Sequence, residues 1–544
     1  MTSAAPDVAA IFEGSTATLT FDDGSTTTAS ELVEDARRLA GRLAADGRQV
    51  GDRIVVHLPN TAEHVRLLLA CAVGGFVAVA VNTRYSPDEV DDLIRRSGAH
   101  RVDGATISQG VPDDPASERH GGEATRDRVD RRDDPFVVFT TSGTTSRPKM
   151  VLHRQHSIAD HARDVAAAFG YSEEDTVLLA LPLCGTFGQA SLMAAVAGNA
   201  RIVVTDFDLD RTSRLIGRHG VTCMNGSDDM FHRLLDHGAD LSTIRLGGYA
   251  RFNTSLDGIV ARAEAAGATL TGLYGMSEVQ ALFSLRDPAG PIGVREKPGG
   301  TLVSSAAAHR IVDGELQVRG PSLFAGYLAE GGDRIDDELT ARHLAVAAAD
   351  DDDGGAWFRT GDLARDDDTD DSDSDVAGRA DPDRSFEYLA RLGDVLRLGG
   401  FLVSPAEIES VLMEADEIEA AQVVAVDRPG GARPVAFVVL AGTRTDATSA
   451  RASDVVDATG RDGHATRVPG KSQHLDEAAT IERCAARLAR YKVPVRVIVL
   501  DRFPTTDSAN GTKIRKVELR RMGAAALDGR PQRPVEEGSA PTRS

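Results

Sequence analysis

The sequence predicts an α/β fold, with a large N-terminal domain of parallel-rich α/β sheets and a small α+β C-terminal domain. Short apolar runs alternate with helical patterns over most of the chain, which is typical of parallel sheets. After Ser404 the pattern changes to a short helix, PAEIESVLMEADEI, followed by the strand-like runs AAQVVAV, PVAFVVL and YKVPVRVIVL. With 544 residues and 41% apolar residues, the chain is long enough for at least two domains.

The first elements can be justified in order. Residues 30–46 place Leu32, Ala36, Leu39 and Leu43 at helical spacing, with acidic residues in the first turn. The apolar run from Leu67 to Val81 is shorter than the roughly 20 residues that a membrane span needs. It predicts a helix that leads into a strand, so no integral membrane association is expected.

Further strands are predicted from short apolar runs. They begin at Arg53, Phe76, Phe136, Thr176 and Arg201. The segments EVDDLIRRSG and GQASLMAAVAGN, which lie between some of these strands, predict helices. Ligands of parallel α/β sheets usually bind beyond the carboxyl ends of strands, so the loop that follows Phe139 is placed where a site is expected.

Three segments of biased composition interrupt this pattern, at about 108–134, 366–385 and 443–476. They predict solvated, mobile insertions. The acidic run DDDTDDSDSD lacks the glycine and terminal glutamate of an EF-hand, which disfavours a calcium loop. We place the N-terminal domain at 1–393, the C-terminal domain at 394–521, and a disordered tail at 522–544.

The chain is strongly acidic, with 83 acidic and 61 basic residues and a net charge of −22. This charge disfavours nucleic acid as a partner. An acidic mesophilic protein is one interpretation, but the charge favours a halophilic protein from a cytoplasm of high salt. At molar salt the Debye length is about 3 Å, so repulsion of anionic substrates disappears.

Other features predict a cytoplasmic location. The four cysteines lie far apart without a C-x-x-C pair, which predicts neither a zinc site nor a disulfide framework. The first 13 residues lack the basic and apolar regions of a signal peptide. The sequence leaves the oligomeric state open, a homodimer included.

The segment from Phe139 to Met150, FTTSGTTSRPKM, is the most informative for function. An apolar strand leads into a loop with a hydroxyl side chain at every position from Thr140 to Ser146 except Gly143. Such a loop can wrap phosphates. It does not match the Walker A pattern, because Pro148 precedes Lys149. On its own the segment leaves a phosphate loop and a plain linker equally open.

Four more motifs follow in order: YGMSE, WFRTGDLA, RLGDVLRLGGFLVSP and NGTKIRKVELR. Together with the loop they resemble the adenylate-forming superfamily of acyl-CoA synthetases, luciferases and peptide-synthetase adenylation domains. The resemblance extends from about Phe12 to Arg520. It implies a Mg²⁺- and ATP-dependent ligase that converts a carboxylic acid to acyl-AMP and pyrophosphate, and then to a CoA thioester and AMP.

The resemblance also implies a nucleotide site. The residues matching the phosphate loop are Thr141, Ser142, Gly143, Thr144, Thr145 and Lys149, although Ser146 and Met150 replace customary glycines. Glu278, with Thr144, would bind Mg²⁺, and Ser277 would hydrogen-bond the α-phosphate. Tyr274 and the loop containing Gly248 would flank adenine. Asp362 and Arg391 would hold the ribose, with Ala390 in place of a customary glycine.

The resemblance places the catalytic lysine in the C-terminal domain, which would be mobile about a hinge at Asp394. Lys513 matches that lysine, and Lys516 is its main competitor. Gly399 and Gly400 would line the channel for the pantetheine arm of CoA.

The residues of the acyl pocket are the most difficult to identify from the sequence. We expect it to include Gly275, Cys184 and Gly185, in a segment PLCGTFG that lacks the family's usual aromatic residue and histidine. A packing role for Cys184 is favoured over a catalytic one. His153 and His156 are interpreted as packing or supporting residues.

Small residues near Cys184 favour a medium- or long-chain fatty acid, with an aromatic acid as the alternative. Two other functions stay open: a stand-alone enzyme that loads an acyl group onto a carrier protein, and a non-catalytic nucleotide-binding relative.

Overall fold

The computed structural model describes residues 7–108, 131–141, 148–252, 258–345, 356–367, 385–392, 395–398, 401–428, 432–441, 475–508 and 511–528. Most of the three predicted insertions lies outside these residues, as do the loop 142–147, Asp394, Gly399, Gly400 and the side chain of Lys513. The chain divides into two compact units, Met1–Gly393 with Asp507–Thr512, and Asp394–Thr506 with Lys513–Ser544.

The described helices, in chain order, are α1 (Val8–Glu13), α2 (Ala29–Ala45), α3 (Ala62–Gly74), α4 (Pro87–Ser97), α5 (Gly104–Ser108), α6 (Gln155–Phe169), α7 (Thr186–Ala197), α8 (Leu209–His219), α9 (Asp228–His237), α10 (Ile259–Ala265), α11 (Ile292–Arg295), α12 (Asp337–Ala341), α13 (Pro405–Met413), α14 (Glu477–Arg487) and α15 (Lys516–Leu527). A 3-10 turn spans Ser277–Val279.

The described strands, in chain order, are β1 (Thr18–Thr20), β2 (Thr26–Thr28), β3 (Arg53–Val56), β4 (Val77–Ala80), β5 (Pro135–Thr141), β6 (Lys149–Arg154), β7 (Thr176–Leu179), β8 (Arg201–Val204), β9 (Cys223–Met224), β10 (Gly226–Ser227), β11 (Gly247–Ala250), β12 (Leu270–Tyr274), β13 (Ser284–Leu285), β14 (Gly299–Leu302), β15 (Ala308–Val312), β16 (Glu315–Arg319), β17 (Gly326–Tyr327), β18 (Leu344–Ala345), β19 (Trp357–Asp366), β20 (Ser385–Arg391), β21 (Leu396–Leu398), β22 (Phe401–Val403), β23 (Ile418–Val426), β24 (Arg433–Leu440), β25 (Arg496–Val499), β26 (Thr505–Ser508) and β27 (Gly511–Ile514).

The α/β class is confirmed, and the sheets of the first unit are mixed. Two five-stranded sheets have the orders β2-β1-β8-β7-β9 and β17-β6-β5-β4-β3, and each contains parallel neighbours, such as β7 with β8 and β3 with β4. A ten-stranded sheet runs from β10 to β15 and is parallel from β10 to β12. From β12 onward its neighbours are antiparallel, which the parallel-rich prediction did not include.

The elements predicted for the first unit form where the sequence places them. Helix α2 begins with a capping box, in which the Thr28 hydroxyl accepts from the Glu31 N–H and the Glu31 carboxylate accepts from the Thr28 N–H. The run from Leu67 to Val81 turns from α3 into β4 at Gly75, whose φ of 71° ends the helix. Among the helices described above, none combines the length and apolar character that crossing a bilayer requires.

The core of the first unit lies mainly around helices α1, α2, α3, α6 and α7. Leu32 and Leu39 of α2 and Leu68 of α3 are almost fully buried. Helix α7 is buried along nearly its whole length, and only its last residue, Ala197, is partly exposed. A helix buried on all sides is part of the core, so α7 is a core helix of the first unit.

The second unit is a small α+β module, as predicted. Its sheet pairs β23 with β24 antiparallel and β24 with β25 parallel. Helix α15 continues to Leu527, so the tail predicted to begin at Met522 is helical over its first six residues, from Met522 to Leu527. The run MGAAAL explains this difference, because methionine, alanine and leucine are strong helix formers.

Candidate active site

A buried carboxylate of the first unit, Asp362 on β19, is held between a phenol and a guanidinium. The Tyr274 hydroxyl, at the end of β12, donates to Asp362 Oδ2 at 2.7 Å. Arg391 Nε lies 3.5 Å from Asp362 Oδ1, because the antiparallel register of β19 and β20 pairs these two residues. Asp362 is only 4% exposed, whereas the Arg391 side chain is half exposed.

One carboxylate oxygen of Asp362 can still accept a hydrogen bond from a ligand. Oδ1 makes no hydrogen bond within the part of the chain that the structure describes. Burial raises the pKa of Asp362, and the charge of Arg391 opposes that shift. Burial likewise raises the pKa of Tyr274, so its hydroxyl stays protonated and remains a donor. The arrangement suits a ligand with neighbouring hydroxyl groups.

A second buried carboxylate, Glu278, lies in the 3-10 turn that follows β12. It is 5% exposed, and its Oε1 accepts a hydrogen bond of 2.8 Å from the hydroxyl of Tyr327 on β17. Burial and the adjacent Glu278 charge raise the pKa of Tyr327, so the phenol stays a donor. The hydrogen bond fixes the direction in which this carboxylate points.

The turn between Tyr274 and Gln280 is tight, and Gly275 makes it possible. A Cβ atom at Gly275 would lie 2.2 Å from the backbone of Ala281, which no side chain could tolerate. Gln280 and Ala281 adopt positive φ angles of 61° and 58°, which non-glycine residues adopt at a cost in energy. Gly275 is therefore needed for the backbone and leaves no side chain to shape a pocket wall.

Ser277 in the same turn is positioned by His153 on β6 and Thr186 on α7. His153 Nε2 donates to the Ser277 carbonyl oxygen at 2.7 Å, and Thr186 Oγ1 lies 3.4 Å from Ser277 Oγ. Burial lowers the pKa of His153 to about 4, so the imidazole is neutral near pH 7. His153 therefore supports the turn, in line with its interpretation from the sequence.

Lys149 begins β6, directly opposite Thr141 at the end of β5. Its Nζ lies 2.8 Å from His343 Nε2 and 4.6 Å from the centre of the Tyr327 ring. Burial lowers the pKa of both Lys149 and His343, and the lysine charge lowers that of His343 further. Among the described residues, the hydrogen-bond partner of Lys149 is a neutral imidazole and not a carboxylate, so the lysine charge stays available for an anion.

The neighbouring Met150 is buried among apolar side chains that include Val138, Leu152 and Leu328. Its side chain contributes to the core, which gives a packing reason for a residue larger than glycine at this position. Ser142 to Thr145 and Ser146 lie outside the described residues, so the phosphate loop itself stays a prediction.

Three further residues that the sequence assigned to the site, Gly248, Gly185 and Cys184, are described in the first unit. Gly248 lies on β11, where a Cβ atom would be 2.6 Å from Asn225 Oδ1. Gly185 precedes α7, and Cys184 is 7% exposed. Burial raises the pKa of the Cys184 thiol to about 11, so it is protonated near pH 7, which disfavours a nucleophilic role.

Sequence reasoning missed Tyr327, His343 and Thr186. Tyr327 and His343 belong to none of the motifs, and Tyr327 and Glu278 are 49 residues apart in the chain. Thr186 alone could have been found from the sequence, because it follows Cys184 and Gly185 in the segment assigned to the acyl pocket.

The side chains of the site could hold a metal ion only together with oxygen ligands from a substrate. Among the described residues no three His, Cys, Asp or Glu side chains form a group that could hold an ion. Mg²⁺ is commonly bound through one or two carboxylates with substrate phosphates and water. Glu278, fixed by Tyr327 and near Lys149, is a suitable single ligand of that kind.

The chain is similar to known proteins over most of its length. The AMP-binding enzyme family matches residues 4–328, and the AMP-binding enzyme C-terminal domain matches residues 407–510. A feruloyl-CoA synthase from Amycolatopsis sp is 28% identical over 528 residues, covering 92% of this chain and 94% of that protein. A 2-succinylbenzoate–CoA ligase from Bacillus subtilis (strain 168) is 25% identical over 516 residues, covering 90% and 92%.

The fold also matches solved structures. The crystal structure of ATP-bound MatB from Rhodopseudomonas palustris gives a TM-score of 0.72 at 22% identity, and the match covers 96% of this chain and 100% of that one.

Proposed function

The chain belongs to the AMP-binding enzyme family, and we propose that this AMP-forming acid–CoA ligase activates a fatty or aromatic carboxylic acid with ATP and Mg²⁺. One observation supports the proposal above all. Two buried carboxylates each accept a hydrogen bond from a tyrosine hydroxyl: Asp362 from Tyr274, where the tight turn after β12 begins, and Glu278, within that turn, from Tyr327 on β17. Asp362 suits the ribose hydroxyls, and Glu278 suits the metal that accompanies the phosphates.

The chemistry joins two anions, so charge must be neutralised. An oxygen of the substrate carboxylate attacks the α-phosphorus of ATP, and the bond to pyrophosphate breaks. Bound Mg²⁺ would neutralise phosphate charge. Lys149, held by the neutral His343, supplies a cation to the pyrophosphate side, and Ser277, held by His153, offers a hydroxyl to the α-phosphate.

In the second half-reaction the CoA sulfur attacks the carbonyl carbon of acyl-AMP. The mixed anhydride bond breaks, AMP leaves, and the thioester forms. Relatives are named for different acids, feruloyl and 2-succinylbenzoate among them, so the acid used by this chain is left to experiment.

The test is an incubation of the protein with ATP, Mg²⁺ and a panel of acids, with and without CoA. AMP, pyrophosphate and thioester are measured separately. Thioester that depends on both acid and CoA supports the proposal. Acyl-AMP that accumulates without thioester would favour an enzyme that loads a carrier protein. If no acid leads to release of pyrophosphate, the protein would be a nucleotide-binding relative without ligase activity.

Replacing Asp362 with asparagine is expected to lower kcat/KM for ATP roughly 30-fold, about 2 kcal/mol, because a charged acceptor of the ribose hydroxyls becomes neutral. Because burial raises the pKa of Asp362, the ionised carboxylate destabilises the folded protein above that pKa. The asparagine variant is therefore expected to keep or raise Tm near pH 7. Steady-state kinetics and thermal unfolding measure the two effects.

The control for this substitution is Tyr274→Phe, which removes a donor to Oδ2 but keeps the carboxylate. It is expected to change kcat/KM for ATP less than Asp362→Asn does. A fall in Tm with unchanged ATP kinetics in Asp362→Asn would show that Asp362 has a structural role only.

We also propose that the enzyme is halophilic and works in a cytoplasm of high salt. A net charge of −22 repels ATP and CoA in dilute buffer, and molar salt removes that repulsion. The rate is expected to rise, and KM for ATP to fall, as KCl increases toward molar concentration. Sucrose of matched osmolality is the control for effects other than screening. Activity that peaks in dilute buffer would contradict the proposal.

A further inference from the structure

Lys149, the cation assigned to the pyrophosphate side of ATP, is held by His343, which lies just after α12 and belongs to none of the motifs. Lys149 Nζ is 2.8 Å from His343 Nε2. An ammonium group has donors and no acceptor, so Nε2 is the acceptor and the ring proton is on Nδ1. The ring also hydrogen-bonds the backbone of Arg359, and Nδ1 is the nitrogen left for that bond. The orientation of the ring is therefore set from both of its nitrogens.

The backbone of His343 is fixed to β19, the strand that carries Asp362. The Arg359 N–H donates to the His343 carbonyl oxygen at 2.7 Å, and the register of β18 and β19 pairs Leu344 with Phe358. The same strand therefore places both the carboxylate assigned to the ribose and the ring that holds the ammonium group.

Tyr327 lies between this lysine and the second carboxylate of the site. The centre of its ring is 4.6 Å from Lys149 Nζ and 5.4 Å from the centre of the His343 ring. Its hydroxyl donates to Glu278 Oε1 at 2.8 Å. Its N–H donates to the hydroxyl oxygen of Thr340, on α12, at 3.0 Å. The ammonium group and the carboxylate are therefore both placed relative to one phenol ring.

The backbone at Lys149 is fixed independently of His343. Arg96 on α4 is 6% exposed, and its Nη2 donates to the Pro148 carbonyl oxygen at 2.8 Å. Lys149 itself lies opposite Thr141 in the register of β5 and β6. The freedom left to the ammonium group is that of its long side chain, and ordering such a side chain costs conformational entropy. A contact that orders it before the substrate binds increases affinity by preorganisation.

Resting on the ligase function above, we propose that His343 is a positioning residue for the pyrophosphate part of ATP, because it holds the Lys149 ammonium where the β- and γ-phosphates bind. An ammonium group has three donors, so one can stay on His343 while the other two reach phosphate oxygens. AMP and acyl-AMP lack the β- and γ-phosphates. Loss of the His343 acceptor therefore weakens the binding of ATP and pyrophosphate and leaves the binding of AMP unchanged.

An alternative explanation is that His343 only packs against its aromatic neighbours. Its ring centre is 5.4 Å from that of Tyr327 and 6.0 Å from that of Phe358. A packing role predicts that phenylalanine, which keeps an aromatic ring, replaces His343 better than glutamine does. The positioning role predicts the reverse order, because glutamine keeps an acceptor oxygen and phenylalanine has none.

The test compares His343→Phe and His343→Gln in the rate of thioester formation at constant free Mg²⁺, with an acid that the wild-type protein uses. Pyrophosphate and AMP are added separately as inhibitors. In His343→Phe we expect KM for ATP and the inhibition constant for pyrophosphate to rise roughly tenfold, and the constant for AMP to change less than about twofold. His343→Gln is expected to recover most of the loss.

A double-mutant cycle with Lys149→Met measures whether His343 acts through the lysine. Lys149→Met alone is expected to raise the inhibition constant for pyrophosphate at least as much as His343→Phe does. Adding His343→Phe to Lys149→Met should then change that constant less than about twofold, because the group that His343 positions is already absent.

Four results would overturn this inference while leaving the ligase function intact. They are an unchanged pyrophosphate constant in His343→Phe, equal changes in the constants for pyrophosphate and AMP, a greater loss in His343→Gln than in His343→Phe, and full additivity in the cycle. His343 is only partly buried, so both variants are expected to keep the wild-type Tm. His343→Leu, which also lacks an acceptor, replaces His343→Phe if that variant does not fold. If no acid releases pyrophosphate with the wild-type protein, the proposed function itself fails and the inference fails with it.

Discussion

Replacing Lys513 with alanine is expected to reduce adenylation about 10³-fold, to near background, while thioester formation from supplied acyl-AMP is retained. The attacking carboxylate and the α-phosphate are both anions, so a cation at the forming bond stabilises the transition state. In the second half-reaction the attacked carbon is a carbonyl, and the α-phosphate charge no longer has to be overcome. Pyrophosphate release and CoA-dependent AMP release measure the two steps separately.

Lys513 is preferred over Lys516 because its register with Gly511 and Ile514 in the segment NGTKIRK matches the catalytic lysine of the family that the sequence resembles. Lys149 donates to His343 at the nucleotide side, and Lys492 pairs with Glu407 within the second unit. Lys516 begins α15, whereas Lys513 lies on β27 beside Gly511. Lys516→Ala is therefore the matched control, and its adenylation rate is expected to stay near that of the wild type.

If Lys516→Ala lost adenylation and Lys513→Ala retained it, Lys516 would be the catalytic lysine. An equal loss of both half-reactions in Lys513→Ala would contradict a role specific to adenylation. A normal Tm in both variants is required before either kinetic result is interpreted.

The sequence predicted those parts of the fold that depend on local patterns. Helix α2 has apolar residues at helical spacing, and the run into β4 has glycines where the chain turns, so both were predicted at nearly the observed positions. The antiparallel half of the large sheet was missed. Its strands β13 and β14 are two and four residues long, too short to show a period.

The candidate site was predictable where it coincides with ordered motifs. Tyr274, Glu278 and Asp362 came from motifs, but their geometry did not. The contact of Tyr274 with Asp362 joins residues 88 positions apart, and the register of β19 with β20 places Arg391 opposite Asp362. Tyr327 and His343 could not be found at all, because an isolated aromatic or histidine residue has no local signal for its distant partner.

Replacing Glu278 with glutamine is expected to lower the rate of adenylation about 10³-fold and to raise the Mg²⁺ concentration needed for half-maximal rate. A metal at the phosphates stabilises the transition state by several kcal/mol, and the neutral amide is a much weaker ligand than the carboxylate. The substitution keeps the size and an oxygen that can accept from Tyr327. Pyrophosphate release is measured over a titration of Mg²⁺ at fixed ATP.

The matched control is Tyr327→Phe, which leaves the Glu278 carboxylate but removes the hydrogen bond that orients it. We expect the adenylation rate to fall about tenfold. A hydrogen bond to a charged group contributes about 1.5–3 kcal/mol, and the carboxylate that binds the metal remains. The Tyr327 ring also lies against Lys149, and phenylalanine keeps that ring. If Glu278→Gln slowed both half-reactions equally with an unchanged Mg²⁺ requirement, the carboxylate would be stabilising the turn after β12 and not binding the metal that accompanies ATP.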